Sequence, residues 1–374
     1  MFQRIIVPLD GSNRAEQAIP VAASIARVSG GSVVLLRVAP MPVDLAWQWQ
    51  APLIVPDVLA EERAVITEYL LHLASSEALK GVPTVREVAD GVPAQTILAV
   101  ARAQQADLIV MCSHGRTGIT RRILGSVAQT IARQSAIPVL ILREGAAGRS
   151  EPSHLEDVHP VRVMVALDGS SLAEEALAPA VHLSIALSAP KQGEVHLVRV
   201  LPLSLTEEMT DIQRTQAITE ATVYLETVEQ RLRRAEGEAG QFQVISSVVI
   251  DASDIAGALT RVAQRSEEGE EEEVDGSGVC DVIALATHGR GGWTRLVAGS
   301  ITERVLEATR LPVLVVRPQQ MERRRKKIKE SAEAEHRLLA GVRMPSTSHK
   351  YTKGAQGAEH AGSRGQNDCL LRTS

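Results

Sequence analysis

The chain has 374 residues, 44% of them hydrophobic, and a formal net charge of −5, which gives room for two or three domains with ordinary cores and no global drive toward nucleic acid or an anionic membrane. Only 2% of the residues are aromatic, so those cores must be built mostly of Ala, Val, Leu and Ile. Cys112, Cys280 and Cys369 stand far apart with no Cys-x-x-Cys, a usage that signals neither a disulfide framework nor a zinc site and fits a reducing cytoplasm. From the N-terminus, "MFQRIIVPLD" enters a strand-like run at once, without the apolar segment of a secretory signal, and no later stretch has the about 18 apolar residues of a bilayer span; a soluble protein is expected. Short Val/Ile/Leu runs then alternate with longer amphipathic stretches. Strands are predicted near 4–9, 32–38, 83–88, 107–112 and 138–143, and helices over 13–29, 57–80, 93–105 and 126–136. The strands are apolar throughout rather than alternating, as a parallel sheet covered by helices on both faces requires. Residues 146–160, "AAGRSEPSHLEDVHP", lack periodicity and read as a linker.

The pattern then starts again, with strands predicted near 161–167, 194–200, 243–250, 281–286 and 312–316. "RIIVPLDGS" at 4–12 returns as "RVMVALDGS" at 162–170, "SVVLLRVAP" at 32–40 as "EVHLVRVLP" at 194–202, and "IPVLILR" at 137–143 as "LPVLVVR" at 311–317. "SHGRTGITRRILGS" at 113–126 and "THGRGGWTRLVAGS" at 287–300 share eight of fourteen positions, so the chain is a duplication. The offset between copies grows from 158 to 174, mostly through the acidic insertion "SEEGEEEEVDGSG" at 266–278, which reads as a solvated loop. The predicted architecture is therefore α/β: two tandem Rossmann-like domains over 1–145 and 161–318, each a five-stranded parallel sheet flanked by helices. Residues 319–374 begin with a basic helical stretch and end in a composition typical of disorder. "RRRKKIK" at 323–329 reads as a solvated helix face, the alternative being a contact with nucleic acid or anionic lipid.

In open parallel sheets ligands bind beyond the carboxyl ends of the strands. The repeated loop follows the fourth strand, so it lies on that edge. Its glycines allow close backbone approach, and the amides that open the next helix point outward with partial positive charge. Gly125-Ser126 and Gly299-Ser300 stand at the predicted helix starts, each expected to supply an unencumbered amide and a hydroxyl. A Gly-Ser pair alone is an ordinary N-cap; two at the same place, each behind a glycine loop, point to a phosphate chain. Arg116 and Arg290 are placed either to pair with phosphate or to face water, and His114 and His288 read as loop-packing residues. Asp10 and Asp168 end the first strand at the same edge. Asn13 with Glu16, and Ser171 with Glu174, have capping-box spacing, which would leave each aspartate free to accept from a ligand's amino or hydroxyl groups. The chain contains no GxxxxGK[ST], no GxGxxG after the first strand, no HExxH and no GxSxG, so a P-loop enzyme, a dinucleotide dehydrogenase and an α/β-hydrolase fit poorly.

With "VPLDGS" and "VALDGS", "DLIVMCSHGRTG" and "DVIALATHGRGG", "LGSVAQTI" and "AGSITERV", and the closing "IPVLILR" and "LPVLVVR", the sequence resembles the universal stress protein family in its tandem, ATP-binding form. The resemblance implies a five-stranded parallel sheet per repeat and pairing through the last strand, between the two repeats or in a homodimer. Its ATP-binding pattern is GxxG, nine residues, then Gly followed by Ser or Thr. Here nine residues separate Gly115 from Gly125 and Gly289 from Gly299, while the first glycine falls on Cys112 and Ala286. By resemblance, Asp10 and Val38, with Asp168 and Val200, hold adenine and ribose, and Met111, Cys112, Leu285 and Ala286 complete the pockets. Gly115, Gly125, Ser126 and Val127, with Gly289, Gly299, Ser300 and Ile301, hold the phosphates. Mg2+ is the expected companion of the phosphates, since no lysine offsets their charge. Cys112 is expected to add bulk near them, which makes the first pocket the less secure.

Three functions compete. The foremost is a cytoplasmic stress-response module whose two pockets hold ATP or a related adenine nucleotide. A weak ATPase is the second, opposed by the lack of a general base or water-positioning residue in the motifs. A nucleotide-independent interaction protein is the third, opposed by the retained Gly-Ser pairs.

Overall fold

Hydrophobic runs that are buried on both faces must sit between two layers of helix, and the chain solves this with one ten-stranded sheet. The computed structural model describes residues 1–39, 55–113, 124–143, 160–202, 210–236, 240–251, 254–264, 280–287 and 300–318. Its strands are β1 (Arg4–Leu9), β2 (Ser32–Ala39), β3 (Thr84–Asp90), β4 (Leu108–Cys112) and β5 (Val139–Leu142), then β6 (Arg162–Ala166), β7 (Gly193–Pro202), β8 (Phe242–Asp251), β9 (Val282–Ala286) and β10 (Val313–Val316). They are ordered β3-β2-β1-β4-β5-β10-β9-β6-β7-β8. Within each half every pairing is parallel. The halves meet through β5 and β10, which pair antiparallel with Leu140 opposite Leu314. All of this lies in one compact unit, Met1–Arg324.

The helices are α1 (Asn13–Glu16), α2 (Ala18–Ser29), α3 (Val55–Ala74), α4 (Pro93–Ala103) and α5 (Ser126–Gln134), repeated as α6 (Ser171–Glu174), α7 (Leu177–Ser188), α8 (Asp211–Glu236), α9 (Ile255–Gln264) and α10 (Ser300–Ala308). The single helix expected over 13–29 is broken at Gln17, and the second half breaks at the same place. Pro20 and Pro179 are the cause: a proline ring clashes with the carbonyl four residues back and brings no N–H of its own, so α1 and α6 stop and a new helix starts. The helix expected over 57–80 ends at Ala74 and is followed by a 3₁₀ turn, Glu77–Leu79. The other expected elements lie within a few residues of the observed ones.

Alternation along the strands divides the core. Val33 and Leu35 of β2 pack with Ile25 of α2 and Leu70 of α3, while Val34 and Leu36 pack with Ile97 of α4 and Ile131 of α5. The second half repeats this with α7 and α8 on one face and α9 and α10 on the other. In each half the strand order reverses beside the first strand, between β1 and β4 and between β6 and β9. Crevices open at such points beyond the carboxyl ends of the strands. The acidic insertion, the predicted linker apart from Pro160, and residues 319–374 lie outside the described residues.

Candidate functional site

Both halves leave their first strand through the same turn. After β1, Gly11 takes φ +81°, and after β6, Gly169 takes φ +83°, a region that side chains with a Cβ rarely enter. A Cβ at Gly11 would also come within 2.9 Å of the Arg37 guanidinium. Asp10 Oδ1 accepts from the Ser12 amide at 3.0 Å and the Ser12 hydroxyl at 2.6 Å, and Asp168 Oδ1 accepts from the Ser170 amide at 2.9 Å. Ser12 and Ser170 in turn cap α1 and α6, accepting from the amides of Ala15 and Ala173, each at 3.2 Å.

These turns correct two expectations. The caps are Ser12 and Ser170 rather than Asn13 and Ser171, and each aspartate commits one oxygen to its own turn rather than standing free. The reason is local: an aspartate two residues ahead of an amide closes an Asx turn with no long-range help. Glu16 and Glu174 do not fold back as a capping box either. Glu16 accepts from the Tyr69 hydroxyl at 2.9 Å, and Glu174 accepts from the Tyr224 hydroxyl at 3.0 Å and from Arg231 at 2.9 Å.

A set of four residues thus stands under each turn, and the motifs did not reveal it. Burial first, then the bond to Glu16, pushes the Tyr69 phenol up, with Arg37 pulling it down and Asp10 raising it. Tyr224 is raised by burial and by Glu174 and Asp168, against Arg199, whose guanidinium lies 5.2 Å from the centre of the Tyr224 ring. The available signal was Arg37 and Arg199, an arginine at the same place in the second strand of each repeat. Tyr69 and Tyr224 lie 53 and 50 residues from the glutamates they bond, so no local pattern points to them.

Val38 and Val200 are half-buried on the opposite face from these arginines, against the cluster that contains α4, α5, α9 and α10. Met111 and Leu285 are core residues, 6% and 3% exposed, on the same side of the sheet as Val38 and Val200. At Cys112 the structure differs from the expectation of bulk near the phosphates. The thiol donates to the Arg14 carbonyl at 2.8 Å and packs against the α1 and α2 side of the sheet, and burial pushes its pKa up to about 12. It ties the end of β4 to α1 as a protonated, inert group. Ala286 is half-buried, and its carbonyl accepts from the Thr302 hydroxyl at 3.1 Å.

Gly125 is the N-cap of α5, yet its amide is not unencumbered: it donates to the Ser113 carbonyl at 2.8 Å. Helix geometry leaves the amides of Ser126, Val127 and Ala128 without intrahelical acceptors. Ser126 is exposed, as are Ser300 and Ile301 at the start of α10. In each half, then, a helix start with an exposed serine follows the fourth strand and an aspartate turn follows the neighbouring first strand, and helix amides and hydroxyls so placed suit an anionic ligand. Gly115, Gly289 and Gly299, with His114, His288, Arg116 and Arg290, lie outside the described residues. Among the described residues no cluster of His, Cys, Asp or Glu is arranged to hold a metal ion, and no helix is long and apolar enough to cross a membrane.

Fold and strand order together define a tandem Rossmann-like α/β protein, one ten-stranded sheet whose two halves are each parallel and each reverse strand order beside their first strand. The chain belongs to the universal stress protein family, whose sequence pattern matches residues 1–143 and again 161–317. It is 25% identical over 326 residues to universal stress protein Rv2005c of Mycobacterium tuberculosis, covering 84% of this chain and 96% of that one. Universal stress protein YxiE of Bacillus subtilis is 31% identical over 148 residues, which is 38% of this chain and 100% of the relative. In fold, the chain matches the crystal structure of a universal stress protein from Archaeoglobus fulgidus with a TM-score of 0.56 at 19% identity, over 84% of this chain and 98% of the other.

Proposed function

We propose that this universal stress protein binds ATP or a related adenine nucleotide in each half and acts in the cytoplasm as a nucleotide-dependent regulator or interaction module, not as a catalyst. The observation that carries this reading is the duplication itself: in each half the helix α5 or α10 follows the fourth strand and an aspartate turn follows the first, and those two strands flank the topological switch point. Two such sets in one chain favour a ligand over a mere helix cap. In this reading the two binding units are residues 1–145 and 161–318, joined by 146–160. The Ser126, Val127, Ser300 and Ile301 amides and the two serine hydroxyls take the phosphates, with Mg2+ carried in on the nucleotide; Asp10, Val38, Asp168 and Val200 take the nucleoside. Gly115, Gly289 and Gly299 would complete the loops. Amides and hydroxyls stabilise phosphate charge without activating water, so hydrolysis is expected to be slow at most.

The test is nucleotide content. Protein purified intact and then denatured should release about two adenine nucleotides per chain, identified by chromatography. Release of none, together with a melting temperature that added Mg-ATP does not raise, would overturn the reading.

A further inference from the structure

Helices α5 and α10 are linked across the seam between the halves. Arg133, in the last turn of α5, pairs with Glu303, in the first turn of α10, at 2.7 Å, with both side chains about two-thirds buried. Beside this pair Arg317, just past β10, donates to the Gln134 carbonyl at the end of α5 at 3.2 Å. The arrangement is not reciprocal. Aligning Ser126 with Ser300 sets Glu303 against Gln129 and Arg133 against Glu307, so the same ion pair has no counterpart in the other direction. The first turn of α5 holds no acidic residue, whereas that of α10 holds Glu303.

A carboxylate in a first turn suits the helix dipole but repels any phosphate seated on the same N-terminus. The first turn of α10 thus carries a charge that works against a bound phosphate, and that of α5 does not, while the next residue, Arg304, is paired with Asp254. We infer that Arg133 is a positioning residue for the nucleotide pocket of the second half: it draws Glu303 onto the seam and cancels its charge, so that α10 meets phosphates much as α5 does. This rests on the nucleotide reading above. The second pocket is then completed by a side chain of the first half, and a separated second repeat would bind its nucleotide more weakly than the full chain does.

The experiment is calorimetric titration of Mg-ATP into the nucleotide-stripped full-length chain and its variants at low salt, where such charge effects are largest. R133Q should weaken one of two sites about fivefold and leave the other unchanged, R133K should retain most of the affinity, and E303Q or the R133Q/E303Q pair should bind at least as tightly as the unmodified chain. A bridge that merely fastened the halves would behave differently, with R133Q and E303Q lowering the melting temperature alike and moving neither affinity. Two-site binding by the parent chain that R133Q leaves unaltered overturns this inference while the nucleotide reading stands. Absence of Mg-ATP binding by the parent chain overturns both.

Discussion

The two halves carry one backbone plan on different interiors. At the middle of the second strand the first half buries Val34, while the second buries His196 at 2% exposure. Before the fourth strand the first half has Ala106 and the second has Cys280. His196 Nε2 lies 2.7 Å from the Ser247 hydroxyl and its Nδ1 lies 3.9 Å from Cys280 Sγ, with Arg162 nearby in a paired state with Glu194 at 2.7 Å. Burial first, then the Arg162 charge, pulls the His196 pKa down to about 4. Burial likewise pushes Cys280 up to about 12, so both stay neutral. The same pocket in the sheet can thus be filled by apolar volume or by a satisfied polar trio, because what the fold demands there is packing without an unpaired group. The first half is indifferent to pH at this position, and the second is not.

The comparison breaks most readily at the seam. Leu140 and Leu314 face one another across β5 and β10, both fully buried, and Leu140→Ala should cost about 2–5 kcal/mol as a residual cavity. If the halves are one cooperative unit, urea unfolding will show a single transition moved to lower midpoint. Two separated transitions, with the second half unmoved, would show that the unlike interiors fold independently.

A comparable effect should follow from acid, and it sharpens the contrast between Val34 and His196. In the unfolded chain a histidine titrates near 6.5, and in the fold His196 does so at about 4. The unfolded state therefore binds the extra proton first, so stability from this position is intact above about pH 6.5, falls as pH drops toward 4, and changes no further below that. The loss across the window is about 3 kcal/mol. His196→Val, which installs the residue of the first half, should flatten this part of the stability-against-pH curve while leaving Ser247 and Cys280 short of a partner. An unchanged slope would mean that the acid sensitivity lies elsewhere.

The smallest effect is expected at Cys112, where the halves differ in the glycine pattern. Because the thiol is turned onto the Arg14 carbonyl, Cys112→Gly should change Mg-ATP affinity of the first pocket by less than about threefold, while losing about 1 kcal/mol of stability with the bond and the packing. A large gain in affinity would show instead that the side chain obstructs the phosphates.

Much of this molecule was legible in one dimension. The Val/Ile/Leu runs place the inner strands because burial on both faces leaves little polar alternation to confuse them, while the edge strands β3 and β8 are more polar and partly exposed, and the duplication places each element twice. The turn at Asp10-Gly11-Ser12 and the helix start at Gly125-Ser126 were also visible, since both are built from neighbours in sequence. Errors arose where one residue could serve two local roles. Ser12 rather than Asn13 caps α1 because the Asp10 carboxylate presets the serine amide and hydroxyl, and Gly125 gives its amide to Ser113 because the end of β4 needs that bond.

What the sequence by itself determined is the repeat, the parallel α/β class and the edge on which the crevices lie, all consequences of hydrophobic period and short-range turn chemistry. Only the tertiary structure decided that Tyr69 and Tyr224 brace the glutamates behind the turns, that Cys112 points into the protein, that β5 and β10 join the halves, and that Arg133 reaches Glu303. Those pairings join residues tens to more than a hundred positions apart. Their partners are chosen by which helices the sheet brings together, and no local propensity encodes that choice.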